Sequence, residues 1–164
     1  MDFGIGIFAM LDFLDPEWIF VPRLLLAALL GAVVGFEREY FGKAAGLRTF
    51  SLVSLGACLF TVLSLAGFQE IAAQTGAVID PSRIAAQVVV GIGFLGAGLI
   101  IFRGFRVEGL TTAAGLWVSS AIGMSVGVGM YLLAAVTSIL MVIIFFFLKR
   151  IEPEEHDGHR DHAL

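Results

Sequence analysis

The sequence predicts an all-α, polytopic membrane protein of about five transmembrane helices, and three observations predict it. Apolar residues make up 59% of the chain and charged residues only 15%, with a mean hydropathy of +0.96, a balance outside that of soluble domains. The charges fall in a few clusters. Between them run apolar stretches close to the ~20 residues that a helix needs to cross hydrocarbon. Peptide groups find no water inside a bilayer, so each stretch is read as a helix, which satisfies them internally.

The expected spans cover residues 18–36, 50–68, 84–102, 110–127 and 130–148. The last two come from one long apolar stretch about twice the length of a single crossing, and Gly127 and Gly129 near its middle supply a backbone able to reverse. Asp15-Pro16 and Asp80-Pro81 each place a capping carboxylate before a proline suited to a first helical turn. Residues 1–17 are read as an interfacial segment too short to span: Asp2 and Asp12 without a basic residue do not make a secretory leader. Residues 18–150 form the transmembrane domain. Residues 151–164, with His156, His159 and His162 among five acidic residues, read as a disordered, solvated tail, with metal sensing as the competing reading.

Basic residues set the orientation, because short loops rich in Lys and Arg stay cytoplasmic. Arg38, Lys43 and Arg48 lie between spans one and two, Arg103 and Arg106 between three and four, and Lys149 with Arg150 after five. The N-terminus is therefore expected outside and the C-terminus inside. Arg23 and Arg83 fall on the opposing side, where long side chains snorkel to the interface.

Spans one and three align, Arg23 and Gly31 with Arg83 and Gly91, and the helices after them open on Gly46-Leu47-Arg48-Thr49 and Gly109-Leu110-Thr111-Thr112. This pattern fits a tandem two-helix repeat plus one helix, an arrangement that recurs in transporters. Twenty glycines exceed what lipid-facing helices use, and small residues in membranes mark close helix contacts. Ala27, Gly31 and Gly35 make one ridge, and Gly115, Ser119, Gly123 and Gly127 another, each at four-residue spacing. Gly91, Gly93, Gly96 and Gly98 contain a formal dinucleotide-site pattern, but they lie within a hydrophobic helix without a preceding strand, so packing is the reading. Backbone carbonyls exposed around an ion path are the alternative.

Polar groups inside the spans are few. Ser51, Ser54, Cys58 and Thr61 form a stripe on span two, and Gln87 lies one turn below Arg83. Interhelical hydrogen bonding is the plain reading of both, and a cation path past Gln87 the sharper one. Asp80 reads as a cap paired with Arg83; with Asp15 and Glu17 it also reads as an acidic mouth. Glu37 and Glu39, two apart on a helix, cannot face one point, so one is expected inward. Asp80 and Glu37 are the candidate magnesium ligands, since that ion keeps most of its water and takes one or two carboxylates. No nucleophile has a general base nearby, the histidines sit in the tail, and Cys58 is alone, so no enzyme is expected.

Several blocks carry a family resemblance: residues 31–39 (Gly31 to Glu39), Ala45-Gly46-Leu47-Arg48-Thr49, residues 80–87 (Asp80 to Gln87), residues 91–98 and residues 109–117 (Gly109 to Trp117). In this order the chain resembles the MgtC/SapB family of bacterial inner-membrane proteins. The resemblance implies a non-enzymatic plasma-membrane protein tied to magnesium homeostasis, acting as an accessory or regulatory component. Its alternative is a magnesium or other cation transporter or channel working as a homo-oligomer. The family motifs match at Glu37, Arg38, Arg48, Asp80, Arg83, Gln87, Thr112 and Trp117. Expected partners are the lipid bilayer, a second copy in a homodimer or other homo-oligomer, and another membrane protein complex; no nucleic acid and no cofactor beyond a magnesium ligand are expected. Some members carry a soluble domain after the last span, and a regulatory role belonging to it is not carried over to this sequence.

Overall fold

The computed structural model describes residues 16–149. The interfacial reading of the N-terminal segment with its Asp15 cap, and the reading of the His-containing tail, fall on residues 1–15 and 150–164, outside the described residues. A 3-10 turn, Pro16–Phe20, leads into α1 (Val21–Tyr40). Then come α2 (Leu47–Ala66), the short α3 (Gln69–Thr75), α4 (Ser82–Leu99), strands β1 (Ile101–Arg103) and β2 (Arg106–Glu108), α5 (Leu110–Gly127) and α6 (Tyr131–Lys149). Among the described residues four helical stretches are long and apolar enough to cross a membrane, and α6 adds a shorter apolar stretch, Tyr131–Phe147. The chain is an all-α, polytopic membrane protein.

Two connections depart from the expectation. Residue Gln69 begins a short helix where the outer loop between spans two and three was expected, and the third span ends at Leu99 instead of running on to Phe102. From Ile100 the backbone is extended, and residues 101–108 form an antiparallel ribbon pairing Ile101 with Glu108, Phe102 with Val107 and Arg103 with Arg106. β-branched and aromatic residues around a glycine favour this ribbon over a further helical turn. Gly104 turns at φ +61°, and Gly109 closes the base at φ +88° where any Cβ would strike the Leu99 carbonyl. The expected reversal after α5 is present, with Gly129 at φ +89° before α6.

Helix α5 is the centre of the bundle, packing on α1, α2, α4 and α6. Lipid tails are as apolar as leucine, so hydrophobic burial does little to hold such helices together; close van der Waals packing does. Two glycine ridges provide it. A Cβ on Gly31 would lie 2.5 Å from the Phe50 carbonyl oxygen, and one on Gly35 would lie 2.7 Å from Leu47 Cα, so α1 runs antiparallel against the backbone of α2. On α5, Gly115 meets the Phe50 and Phe145 rings, Gly123 meets the Ser54 carbonyl, and Gly127 meets Thr61 and the Cys58 carbonyl. These contacts rise together along both chains, so α2 and α5 are parallel. The opposite face of α1, with Leu25, Leu29, Val33 and Phe36, is exposed, as a lipid-facing stripe must be.

Helix α4 breaks the pattern. Only Ile92 and Gly96 of it are buried, and a Cβ on Gly91, Gly93 or Gly98 would meet nothing within 4 Å. Three of the four glycines expected to pack therefore meet no neighbour among the described residues, and of the four only Gly96 faces α5, beside Ala113. The repeat shows the same asymmetry. Consecutive helices pair in both halves, α1 on α2 and α4 on α5, yet Gly31 is pressed against backbone while its sequence counterpart Gly91 is open.

Candidate functional site

The buried charge of the described residues lies at the end of the bundle that holds the two basic loops. Glu37 and Arg38 occupy the last turn of α1, with 8% and 3% of their surfaces exposed. Arg38 Nε and Nη2 donate to Glu37 Oε2 and Oε1 at 2.5 and 3.0 Å, a bidentate pair between sequence neighbours. The Arg38 guanidinium carbon sits 3.8 Å from the centre of the Phe145 ring on α6, so the cation is covered by an aromatic face. Location at a helix C-terminus adds a favourable interaction between Arg38 and the helix dipole. The two carboxylates flanking Arg38 diverge. Glu37 turns inward, while exposed Glu39 accepts the Leu47 N–H on Oε2 at 2.8 Å and satisfies an otherwise unpaired donor in the first turn of α2. Thr112 is buried in the first turn of α5 and Arg48 is exposed in the first turn of α2, both at this end.

Asp80, Arg83 and Gln87 lie at the other end, along the start of α4. Asp80 does not serve as the N-cap, a place taken by Pro81. Its Oδ1 instead accepts the Ser82 N–H at 2.9 Å and the Ser82 hydroxyl at 2.6 Å. These bonds from Ser82, side chain first and backbone second, hold the Asp80 carboxyl below its ordinary range, with a smaller contribution from the charge of Arg83. The expected contact ion pair with Arg83 is not among the ion pairs of the described residues, and the Asp80 carboxylate is turned onto Ser82 instead. The Ser64 hydroxyl donates to the Pro81 carbonyl and ties α2 to this corner.

Glu37 and Asp80 thus stand at opposite ends of membrane-length helices and cannot share one ion. Both Glu37 oxygens already accept from Arg38, so a divalent cation there would have to compete with a bound guanidinium. Among the described residues no group of three or more His, Cys, Asp or Glu side chains is placed to hold a metal. Between the two ends, a cleft of about 470 Å³ opens beside α2 and α4, lined by Leu52, Phe60, Gln87, Val88 and Leu95, with Ser120 behind them. Gln87 is exposed and, with Ser120, supplies the polar side chains of an otherwise apolar wall. Trp117 is exposed on α5, and its carbonyl accepts the Ser120 hydroxyl at 2.8 Å.

Sequence reading missed four contacts. Phe145 was indistinguishable from its neighbours in a run of phenylalanines. Arg23, read as snorkelling, donates from Nη1 to the Gly127 carbonyl at 2.9 Å and so caps the end of α5. The hydroxyls that bond between helices are Ser119, donating to the Phe50 carbonyl at 3.1 Å, and Ser138, donating to the Leu30 carbonyl at 3.3 Å. The expected stripe on α2 turns inward differently: Thr61 donates to Ala57 within its own helix, and the buried Ser54 hydroxyl has no hydrogen-bond partner among the described residues. A hydroxyl one turn from a carbonyl bonds locally unless a neighbouring helix offers a better acceptor.

The sequence model of the MgtC family matches residues 24–153. The chain is 47% identical over 125 residues to a protein of Escherichia coli K12 named "Putative magnesium transporter YhiD", covering 76% of this chain and 58% of that one. It is 44% identical over 123 residues to Protein MgtC of Brucella abortus strain 2308, covering 75% of this chain and 48% of that one. Against Protein MgtC of Salmonella typhimurium strain LT2 it is 42% identical over 130 residues, covering 79% and 52%. The chain spans about half the length of the curated relatives it matches. No solved structure matches it significantly. The matched region takes in every helix that builds the two ends of the bundle, and on that match the chain belongs to the MgtC family.

Proposed function

We propose that this chain is a non-enzymatic protein of the bacterial inner membrane that serves magnesium homeostasis as an accessory or regulatory component, acting on another membrane complex instead of carrying the ion. The observation that supports this reading best is the self-neutralised charge of the bundle. Among the described residues the buried charged side chains are Glu37 and Arg38, and they close bidentate on each other beneath Phe145. An ion path needs charged or polar groups facing a route through the membrane, and this carboxylate is turned onto its neighbouring guanidinium instead. The proposal places the N-terminus outside and the basic loops in the cytoplasm, by the distribution of Lys and Arg. It includes self-association through α4, whose Gly91, Gly93 and Gly98 have open space before them and suit the close approach of another helix.

One observation favours the second reading, a cation transporter. Gln87 projects a polar group into the cleft between α2 and α4, and the relative YhiD carries magnesium transport in its name. Purified protein in liposomes separates the two. The accessory role predicts magnesium flux no greater than that of empty vesicles, with a distinct membrane protein recovered by crosslinking from cells. Flux that disappears on Gln87→Ala while the variant remains monodisperse would overturn it.

A further inference from the structure

The ribbon formed by residues 101–108 is not explained by the helix bundle or by magnesium. In an antiparallel pair, directly opposed residues share a face. Phe102 and Val107 therefore stand on one face, and Ile101, Arg103, Arg106 and Glu108 on the other. All the strand residues are exposed, and Phe105 at the turn is fully so. The ribbon is thus amphipathic, with an apolar face that no part of the described chain covers. A two-stranded ribbon of this size is marginal in water unless it packs on something. Its position limits what that can be. It begins where α4 ends and stops where α5 begins, and three residues per strand rise only ~10 Å, so it stays at the level of the lipid headgroups. Its end of the bundle also carries Lys43 and Arg48. Two arginines against one glutamate leave the ribbon itself with a net charge of 2 − 1 = +1, and Arg103 Nε meets Glu108 Oε2 only at 3.5 Å across the exposed face.

We propose that this ribbon is an interfacial anchor for anionic lipid. Phe102, Val107 and Phe105 enter the acyl boundary of the leaflet at the basic-loop end, while Arg103 and Arg106 face headgroup phosphates. Anionic surfaces attract such basic segments within a Debye length, and salt weakens the attraction. The inference is independent of the magnesium reading.

The test uses the full chain with Cys58 replaced by alanine and single cysteines at Val107, Phe105 or Glu108, each labelled with an environment-sensitive fluorophore. The variants are reconstituted in phosphatidylcholine vesicles with or without phosphatidylglycerol, and brominated acyl chains serve as quencher. The anchor predicts blue-shifted emission and loss of most of the signal to brominated lipid at 105 and 107, weak quenching at 108, and stronger quenching when phosphatidylglycerol is present. Arg103→Gln with Arg106→Gln, or high salt, should remove the phosphatidylglycerol dependence. Water-like emission at 105 and 107 in both vesicle types overturns the anchor, as does a protein crosslinked to 105 in native membranes in place of lipid. Equal quenching with and without phosphatidylglycerol overturns the headgroup assignment. Nitroxide labels at the same positions, read by accessibility to oxygen against a water-soluble relaxant, give a second measurement if the fluorophore disturbs folding.

Discussion

At the scale of single residues, the Glu37–Arg38 pair bears the largest energetic consequence. Removing one partner leaves a buried charge unpaired, which costs about 3–5 kcal/mol, whereas replacing both with apolar residues is often close to neutral. Arg38→Ala should therefore lower the thermal unfolding midpoint in detergent sharply, while Glu37→Leu with Arg38→Met should recover most of the loss; equal losses would show that the pair is not what holds this corner. The glycines divide in the same measurement. Gly123→Ala places a methyl against the Ser54 carbonyl and should cost about 1–3 kcal/mol. Gly91→Ala, with open space before it, should in the monomeric chain be neutral or stabilising by up to about 1 kcal/mol through helix propensity. Asp80 supplies a pH dependence. Its carboxyl is held below the ordinary range by Ser82, so its contribution to stability is present above the unfolded-state aspartate value and is lost as pH falls through the folded value. Ser82→Ala should move the Asp80 titration upward, read by carboxyl-selective NMR in micelles; an unchanged midpoint would remove the assigned cause.

At the scale of elements, much of the fold was legible because the bilayer imposes it. Runs of membrane length must be helices, and the ridge Gly115, Ser119, Gly123 and Gly127 announced the face of α5 that meets α2. The divergence of Glu37 and Glu39 followed from helical geometry alone. What was not legible depended on partners distant in sequence. Nothing near Arg23 points to the Gly127 carbonyl 104 residues away, and Phe145 is set apart from Phe146 by facing Arg38 of α1 and Gly115 of α5. The ribbon was missed because Ile101 and Phe102 continue an apolar run, and hydropathy cannot tell a last helical turn from a short strand. The arginine contact yields a prediction at this scale. Arg23→Leu removes a charged donor from the end of α5 and should cost about 1.5–3 kcal/mol. It should also speed hydrogen exchange in the final turn of α5 before the rest of that helix; uniform exchange along α5 would contradict the capping role.

At the scale of the whole molecule, the account rests on one arrangement. Antiparallel α1 and α2, the parallel α2 and α5, and the ribbon between α4 and α5 place the loop at 41–46 and residues 101–108 at one end of the bundle, with residues 67–81 at the other. A bilayer turns that arrangement into sidedness, with both basic loops on a single face of the membrane. The candidate residues then divide by side, Glu37, Arg38, Arg48 and Thr112 from Asp80, Arg83 and Gln87, and no mechanism can bring the two sets together without moving whole helices. The most direct measurement is labelling by a membrane-impermeant maleimide in intact and opened cells, using single cysteines at Lys43, Glu108 and Val78 in a Cys58→Ala background. The account predicts that positions 43 and 108 label only after the cells are opened, and that position 78 labels in intact cells. Labelling of 43 and 108 from opposite sides would contradict it.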